Sequence, residues 1–438
     1  MEKKIIIPIF IFCVLLVIAV SFYFLPEKAI LTDTVTINRD QITETLWKYQ
    51  CIDTMKTSRD KARTWAKRSD LKTYIDKEMQ AITEMGANCV ALDTPYDQEF
   101  LPYLKAWVES ARSHKLKIWY RGNFSSWEGW FDYPKGMSVS QLFDKTRAFI
   151  SGNPDLFLDG DIFTAAPEGE NGGPFNQVEI DEHQVFRQFL IDERKMMQEE
   201  FQKINKKIET HWLSMNGGLA RRMLDSNTIK VIDNTATLDH YIKTSPEMGE
   251  YINYFKNKFG ARTIIGEFGA PIPDINGSMT EDQQAAFIDE LFNQLYIHRE
   301  SVEGINYWIL TDGSTQLLNV DLKPRKAVNV VKKYLKPSVI TGQVVDTFGT
   351  PLKDIEVKVA GAINPSRTDQ KGNFNFIIPT KDSELSITND LYTPRMFPLT
   401  LNEAQKISYT IVLEPKKKDI LYLIKIKLNA ILKRAKIL

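Results

Sequence analysis

The apolar run IIGEFGAP, residues 264–271, delivers one carboxylate, Glu267, at its end. Farther along, INYWILTDGS (residues 305–314) carries Trp308 in the same way. A carboxylate of this kind can attack or stabilise an anomeric carbon, and an indole face can pack on the C–H face of a pyranose. Glycosidic cleavage usually needs a second carboxyl group, and DIFTAAPEGENGGP (residues 161–174) offers Glu168 and Glu170. Two carboxylates held close together cannot easily both ionise, so one stays protonated near neutrality and can act as an acid. In this reading Glu168 protonates the leaving oxygen while Glu267 attacks, and Glu170 is the alternative acid. A carboxyl separation of about 5 Å predicts retention of configuration, and roughly 6.5–9.5 Å predicts inversion.

Other residues fall where they can support this chemistry. Arg121 ends the run LKIWYR and can bind either a sugar hydroxyl or the Glu267 carboxylate. The loop GNFSSWEGWFDYP (residues 122–134) concentrates Phe124, Trp127, Trp130 and Phe131, as a sugar platform or as a small core closing the top of the fold. His211 and Trp212 read as interior packing. His240 follows Asp239 but no Gly-x-Ser-x-Gly element accompanies it, which argues against a serine hydrolase. No His-Glu-x-x-His or carboxylate metal spacing appears, so neither metal nor cofactor is expected.

The elements that must position these groups alternate. Short apolar runs span residues 47–53, 88–93, 116–121, 161–168, 207–213, 232–241, 263–267 and 304–310. Amphipathic stretches at 71–85, 99–114, 180–204 and 282–298 separate them. Strand-like runs each followed by a helix read as βα units on a parallel sheet. Eight such units between about residue 31 and residue 336 predict an α/β (β/α)8 TIM barrel, whose catalytic groups sit at the C-terminal ends of the strands. A doubly wound open sheet is the alternative, although no glycine-rich loop follows the first run.

With these residues in place, the region resembles the clan A glycoside hydrolases, retaining (β/α)8 enzymes with an acid/base glutamate after the fourth strand and a nucleophile after the seventh. Glu168 ends the fourth run and Glu267 the seventh. The resemblance implies sugar stacking by Trp308 and orientation of the nucleophile by the His240–Tyr241 element. It also implies a β-linked substrate. One position departs from the family pattern: Pro167 stands where an asparagine usually holds the 2-hydroxyl, so that contact passes to another residue, with Asn171 the candidate.

Composition and the chain ends complete the outline. The formal net charge is zero, which argues against a nucleic-acid protein. Among three cysteines, Cys51 and Cys89 lie in predicted strands and read as buried thiols, with a bridge between them as the alternative. Residues 5–25 form an apolar segment of bilayer length behind Lys3 and Lys4, read as a membrane anchor (residues 1–30) that leaves the remainder outside the cytoplasm. A cleaved signal peptide is the alternative.

Residues 337–415 change to a two-residue alternation with turns at Gly349–Thr350–Pro351 and Lys371–Gly372, predicting a small β-sandwich. ITGQVVDTFGTPLKDIEVKV and TDQKGNFNF in this stretch resemble the carboxypeptidase regulatory-like domain, a prealbumin-like sandwich that implies a spacer or accessory role. Residues 416–438 pattern as a basic amphipathic helix suited to an anionic membrane surface, or to docking on the sandwich. The expectation is a membrane-anchored, extracytoplasmic glycosidase with a carbohydrate substrate. The rival is a non-catalytic barrel that binds glycan in the cell envelope.

Overall fold

The computed structural model describes residues 31–38, 44–175 and 183–417, together with residue 424. The expected membrane anchor lies outside these residues, as does nearly all of the basic tail. Among the described residues no helix is long and apolar enough to cross a membrane. The chain divides into two compact units, one from Thr45 to Lys336 and one drawn from the flanking segments up to Glu44 and from Pro337 onward.

The expected start of the barrel domain at residue 31 is corrected by the first strand. β1 (Thr34–Asn38) pairs antiparallel with β16 (Lys406–Leu413), so this segment belongs to the second unit. The reason is local pairing: Val35 and Ile37 continue a two-residue alternation that suits an antiparallel edge.

The larger unit holds β2 (Tyr49–Asp53), β3 (Cys89–Leu92), β4 (Lys117–Tyr120), β5 (Ile162–Phe163), β6 (Ser214–Asn216), β7 (Thr235–Asp239), β8 (Arg262–Phe268) and β9 (Val302–Tyr307). They form one eight-stranded sheet in the order β5-β4-β3-β2-β9-β8-β7-β6, all parallel. The sheet curls until its edges meet. Glu209 bridges Ile162 in parallel, and Gly160 N–H donates to Lys207 O at 2.8 Å. The fifth expected run was placed too early: the strand lies at Ser214–Asn216, and the 207–213 segment serves as the seam.

Helices Leu71–Glu84, Leu101–Ser113, His183–Lys203 and Glu281–Ile297 follow the expected stretches closely. Their apolar stripes cover the outward side chains of the strands, as barrel architecture requires. Three more, Val139–Gly152, Ser245–Phe259 and Ala327–Leu335, complete the wall. Inside the barrel, Tyr49, Cys51, Cys89, Ala91, Trp119, Ile162, Trp212 and Ile264 form a single apolar plug. Trp119 and Trp212 meet edge to face at 4.9 Å. The inward residues two positions onward are polar, which puts the site directly on this plug.

Cys51 and Cys89 are disulfide-bonded, correcting the expectation of two thiols. The two positions are register partners on adjacent strands, with Cα atoms 4.2 Å apart, so their inward side chains meet.

The second unit packs a sheet β1-β16-β10-β13 against a sheet β12-β11-β14-β15, with β10 at Ser338–Asp346, β11 at Glu356–Val359, β12 at Ser366–Arg367, β13 at Asn373–Ile378, β14 at Ser383–Ile387 and β15 at Arg395–Leu399. Alternate residues Phe374, Phe376, Ile378, Ile407, Tyr409 and Ile411 fill the shared core. Both expected turns are present. Asp346 Oδ1 accepts from Phe348 and Thr350 N–H, and Asp369 Oδ1 from Lys371 and Asn373 N–H. Such Asx turns are a local property of the sequence.

The bridge spans 38 residues of chain, a loop whose closure contributes roughly 3–4 kcal/mol. The C51A/C89A double variant is expected to lose about that much unfolding free energy in urea titration. Two titratable thiols at Cys51 and Cys89 in non-reduced, denatured protein would refute the pairing.

Candidate active site

Period-two alternation carries the barrel interior from plug to mouth. Cys51 is followed inward by Asp53, Ala91 by Asp93, and Trp119 by Arg121. Thr237 is followed by Asp239 on β7. β8 breaks this alternation. Leu238 pairs with Ile265 but Asp239 pairs with Glu267, leaving one extra residue on β8. A bulge of this kind re-aims the side chains after it. Gly266 faces inward, where an added Cβ would lie 2.3 Å from Asp239 Oδ1, so only glycine admits that carboxylate. Glu267 then also turns inward, while Phe268 packs outward on Phe292 of the adjacent helix.

Arg121 is the centre of the result. It is 1% exposed, and four carboxylates surround it. Nη1 lies 2.5 Å from Glu267 Oε1, 3.2 Å from Asp93 Oδ1 and 3.8 Å from Asp53 Oδ2, and Nη2 donates to Asp239 Oδ2 at 2.6 Å. Asn306 Nδ2 donates to Asp53 Oδ2 at 3.0 Å and to Gly266 O at 2.8 Å, tying the cluster to the bulge. Burial pushes the Asp53 carboxyl up to about 6 and Asp239 up to about 8, despite the guanidinium that opposes both. Asp93 is raised well above the usual range by burial and by Asp53. The cluster therefore carries fewer negative charges near neutrality than its count of acids suggests.

Glu168 and Glu267 are brought together. One carboxylate oxygen from each, with one from Asp239, lies within 4.8 Å of the others. Glu267 Oε2 accepts the Tyr241 hydroxyl at 2.7 Å. Burial, then the Glu267 charge, raises the Tyr241 phenol, so it stays a donor. Glu168 is half-buried and is held well above the usual carboxylate range by burial, by Glu267 and by Asp239. The Glu267 side chain keeps 8% exposure, so the pair opens to solvent. Proximity alone would let Glu168, Asp239 and Glu267 ligate a cation, but Arg121 already compensates two of the three.

The remaining expected residues divide. Glu170 is buried, and its Oε1 accepts Asn216 N–H at 2.8 Å while Oε2 has no hydrogen-bond partner among the described residues. Burial pushes its carboxyl up to about 7. Asn171 is exposed on the same turn. Of its two expected partners, Arg121 meets Glu267. His240 packs on the Tyr251 ring at 3.7 Å, and burial pushes its imidazole down to about 4. Its backbone N–H, not its ring, reaches the site, donating to Glu267 O at 2.9 Å. Trp308 is half-buried at the end of β9, with its ring 5.8 Å from Tyr241 and Lys56 Nζ 5.9 Å above it. In the 122–134 loop, Phe124 and Trp127 are core, whereas Trp130 is partly exposed under the Arg59 guanidinium at 4.6 Å.

Sequence reasoning missed Glu128, Glu193, Ser214 and Asn306. Glu193 left a signal. It lies on the apolar stripe Phe186, Leu190, Met197, Phe201, where a carboxylate is out of place. Glu128 had no comparable mark, and it joins the mouth through Asn123 Nδ2, which donates to Glu128 Oε1 at 3.4 Å.

No protein-family model matches the chain, and no curated protein sequence does. Solved structures do. A GH5_18 protein from Streptomyces cattleya, solved in complex with GlcNAc, aligns with a TM-score of 0.50 at 13% identity over 69% of this chain and 85% of its own. The β-glycosidase BGL167 aligns at 0.47 and 10% identity, over 66% and 96% respectively. A β-glucuronidase of Bacteroides uniformis aligns at 0.44 and 11% identity over 87% of this chain, which spans 49% of that longer protein. At these identities the likeness is one of fold, a curled parallel α/β barrel.

Removing Arg121 leaves buried carboxylates without their cation, at a cost of roughly 3–5 kcal/mol. R121M is expected to show that loss in urea unfolding at pH 7. The deficit should shrink at pH 5, because protonation removes the uncompensated charge. An equal deficit at both pH values would rule the clamp out.

Proposed function

We propose that the barrel is a retaining glycoside hydrolase with Glu267 as nucleophile and Glu168 as acid/base. The observation that carries this reading is the close approach of the two carboxyl groups, within 4.8 Å between the nearest oxygens considered. Retaining enzymes hold the pair about 5–5.5 Å apart, whereas inverting enzymes leave room for a water. The asymmetry of the pair supports the assignment. Glu267 accepts the Tyr241 hydroxyl and lies against the Arg121 guanidinium. On Glu168, burial and then the Glu267 and Asp239 charges favour the proton against the pull of Arg121.

In the first step Glu267 attacks the anomeric carbon and Glu168 gives its proton to the departing oxygen, forming a glycosyl-enzyme. In the second, Glu168 takes a proton from water, which displaces Glu267 and restores both groups. Trp308 supplies an apolar face for the sugar ring. The substrate class in this reading is a β-linked oligo- or polysaccharide.

The site of action follows from two features. The Cys51–Cys89 bridge suits an oxidising compartment. The apolar 5–25 segment behind Lys3 and Lys4 suits an anchor that leaves the barrel outside the cytoplasm. The sandwich unit is then an accessory of carboxypeptidase regulatory-like type.

A panel of aryl β-glycosides tests the proposal. E168Q is expected to lose about 10²–10⁴-fold in turnover of poor leaving groups. E267Q should abolish formation of the glycosyl-enzyme, and a 2-fluoro sugar should label the Glu267 peptide in the wild-type chain. Y241F should lose about 10–100-fold, the worth of a hydrogen bond to a charged group. Glycan binding without turnover on any sugar would instead favour the non-catalytic barrel.

A further inference from the structure

The segment that delivers Glu168 is held by the sheet only at its two ends. β5 is only two residues long, and its ladder with β4 ends at Phe163. On its other side the sheet has its seam, bridged at Glu209 rather than by a continuous ladder with β6. Glu168 itself sits in the left-handed region, φ +47°, which a non-glycine residue keeps only where its surroundings over-determine it. Something must hold these residues in place.

Each backbone N–H from 164 to 168 can be followed to its partner. Thr164 N–H donates to Tyr120 O at 3.0 Å, the last bond of the β4 side. Ala165 and Ala166 N–H both donate to one side-chain oxygen, Glu193 Oε1, at 3.2 and 3.0 Å. Pro167 has no N–H to place. Glu168 N–H donates to Ser214 O at 3.0 Å, with Ser214 Oγ at 3.3 Å. A carboxylate from the helix behind the sheet therefore stands where a neighbouring strand's carbonyls would be.

We propose that Glu193 is a positioning residue for the acid/base, supplying the acceptor that the barrel seam lacks and so fixing the loop that aims Glu168 at Glu267. Glu193 is fully buried, and its other oxygen, Oε2, has no hydrogen-bond partner among the described residues. Such a group is costly to bury, on a helix face that is apolar apart from Glu193 and Glu200. Burial pushes its carboxyl up to about 8, against the pull of the two amides, so a neutral acceptor can occupy the same place. The catalytic half of this inference rests on the glycosidase reading above. The loop-holding half does not.

Two variants of the full chain test it. E193Q keeps an acceptor oxygen, whereas E193M fills the space without one. Hydrogen exchange read by mass spectrometry is expected to speed up in E193M for peptides covering 164–168, with peptides covering 89–92 and 302–307 unchanged. E193Q should exchange like wild type. In kinetics, E193M should lose about 100-fold in kcat/KM on alkyl or sugar leaving groups that need an acid, and stay within about threefold on a dinitrophenyl glycoside that does not. E193Q should restore both. Unchanged exchange in E193M overturns the proposal whatever the activity does. Equal losses on both substrates overturn the positioning role in catalysis, since general damage does not sort substrates by leaving group. Absence of hydrolysis by the wild-type chain counts against the glycosidase reading alone, because the exchange result still decides whether Glu193 holds the loop.

Discussion

A guanidinium enclosed by four carboxylates sits at the mouth of the barrel, and the geometry of the site depends on it. Burying one ion in protein costs several kcal/mol, and burying four like charges beside each other would cost far more without a counter-charge. Arg121 provides that charge from the end of β4 and reaches acids delivered by β2, β3, β7 and β8. Its fork shape lets one side chain meet partners on both sides of the barrel, which a lysine could not do as well. The raised pKa values of Asp53, Asp93 and Asp239 limit the negative charge it must balance.

The same cluster explains why the two carboxyl groups of the proposed reaction differ. Glu267 lies against the cation and the Tyr241 hydroxyl, while Glu168 lies on the far side of the gap with acids for neighbours. Environment, rather than residue type, separates their roles. The supports also differ in kind. Glu267 is carried by a seven-residue strand with a bulge, tied through Asn306 and Asp53. Glu168 is carried by a short segment at the seam, tied through the Ser214 carbonyl and the Glu193 side chain.

Much of this was legible from local pattern. The eight apolar runs placed the strands to within a few residues, because buried parallel strands read as continuous apolar stretches. Gly349–Thr350–Pro351 and Lys371–Gly372 marked the sandwich turns for equally local reasons. The fifth strand was misplaced because the 207–213 run is apolar at Trp212 and Leu213 for the sake of the plug and seam, not for ladder pairing. Cys51 and Cys89 were read as thiols because nothing in their spacing shows that β2 and β3 align them in register.

The sequence by itself determined the alternation of strand and helix, the polar residues at the strand ends, and the candidacy of Glu168, Glu267 and Trp308, since each follows from residue type and short-range period, while Tyr241 entered through the family resemblance. The tertiary structure decided which of those side chains meet. The bulge at Gly266 turned Glu267 inward against simple alternation, Arg121 chose its four partners across the barrel, and Glu193 reached a loop from a helix far along the chain. Contacts between distant segments depend on register and closure, and neither is written in any local stretch of residues.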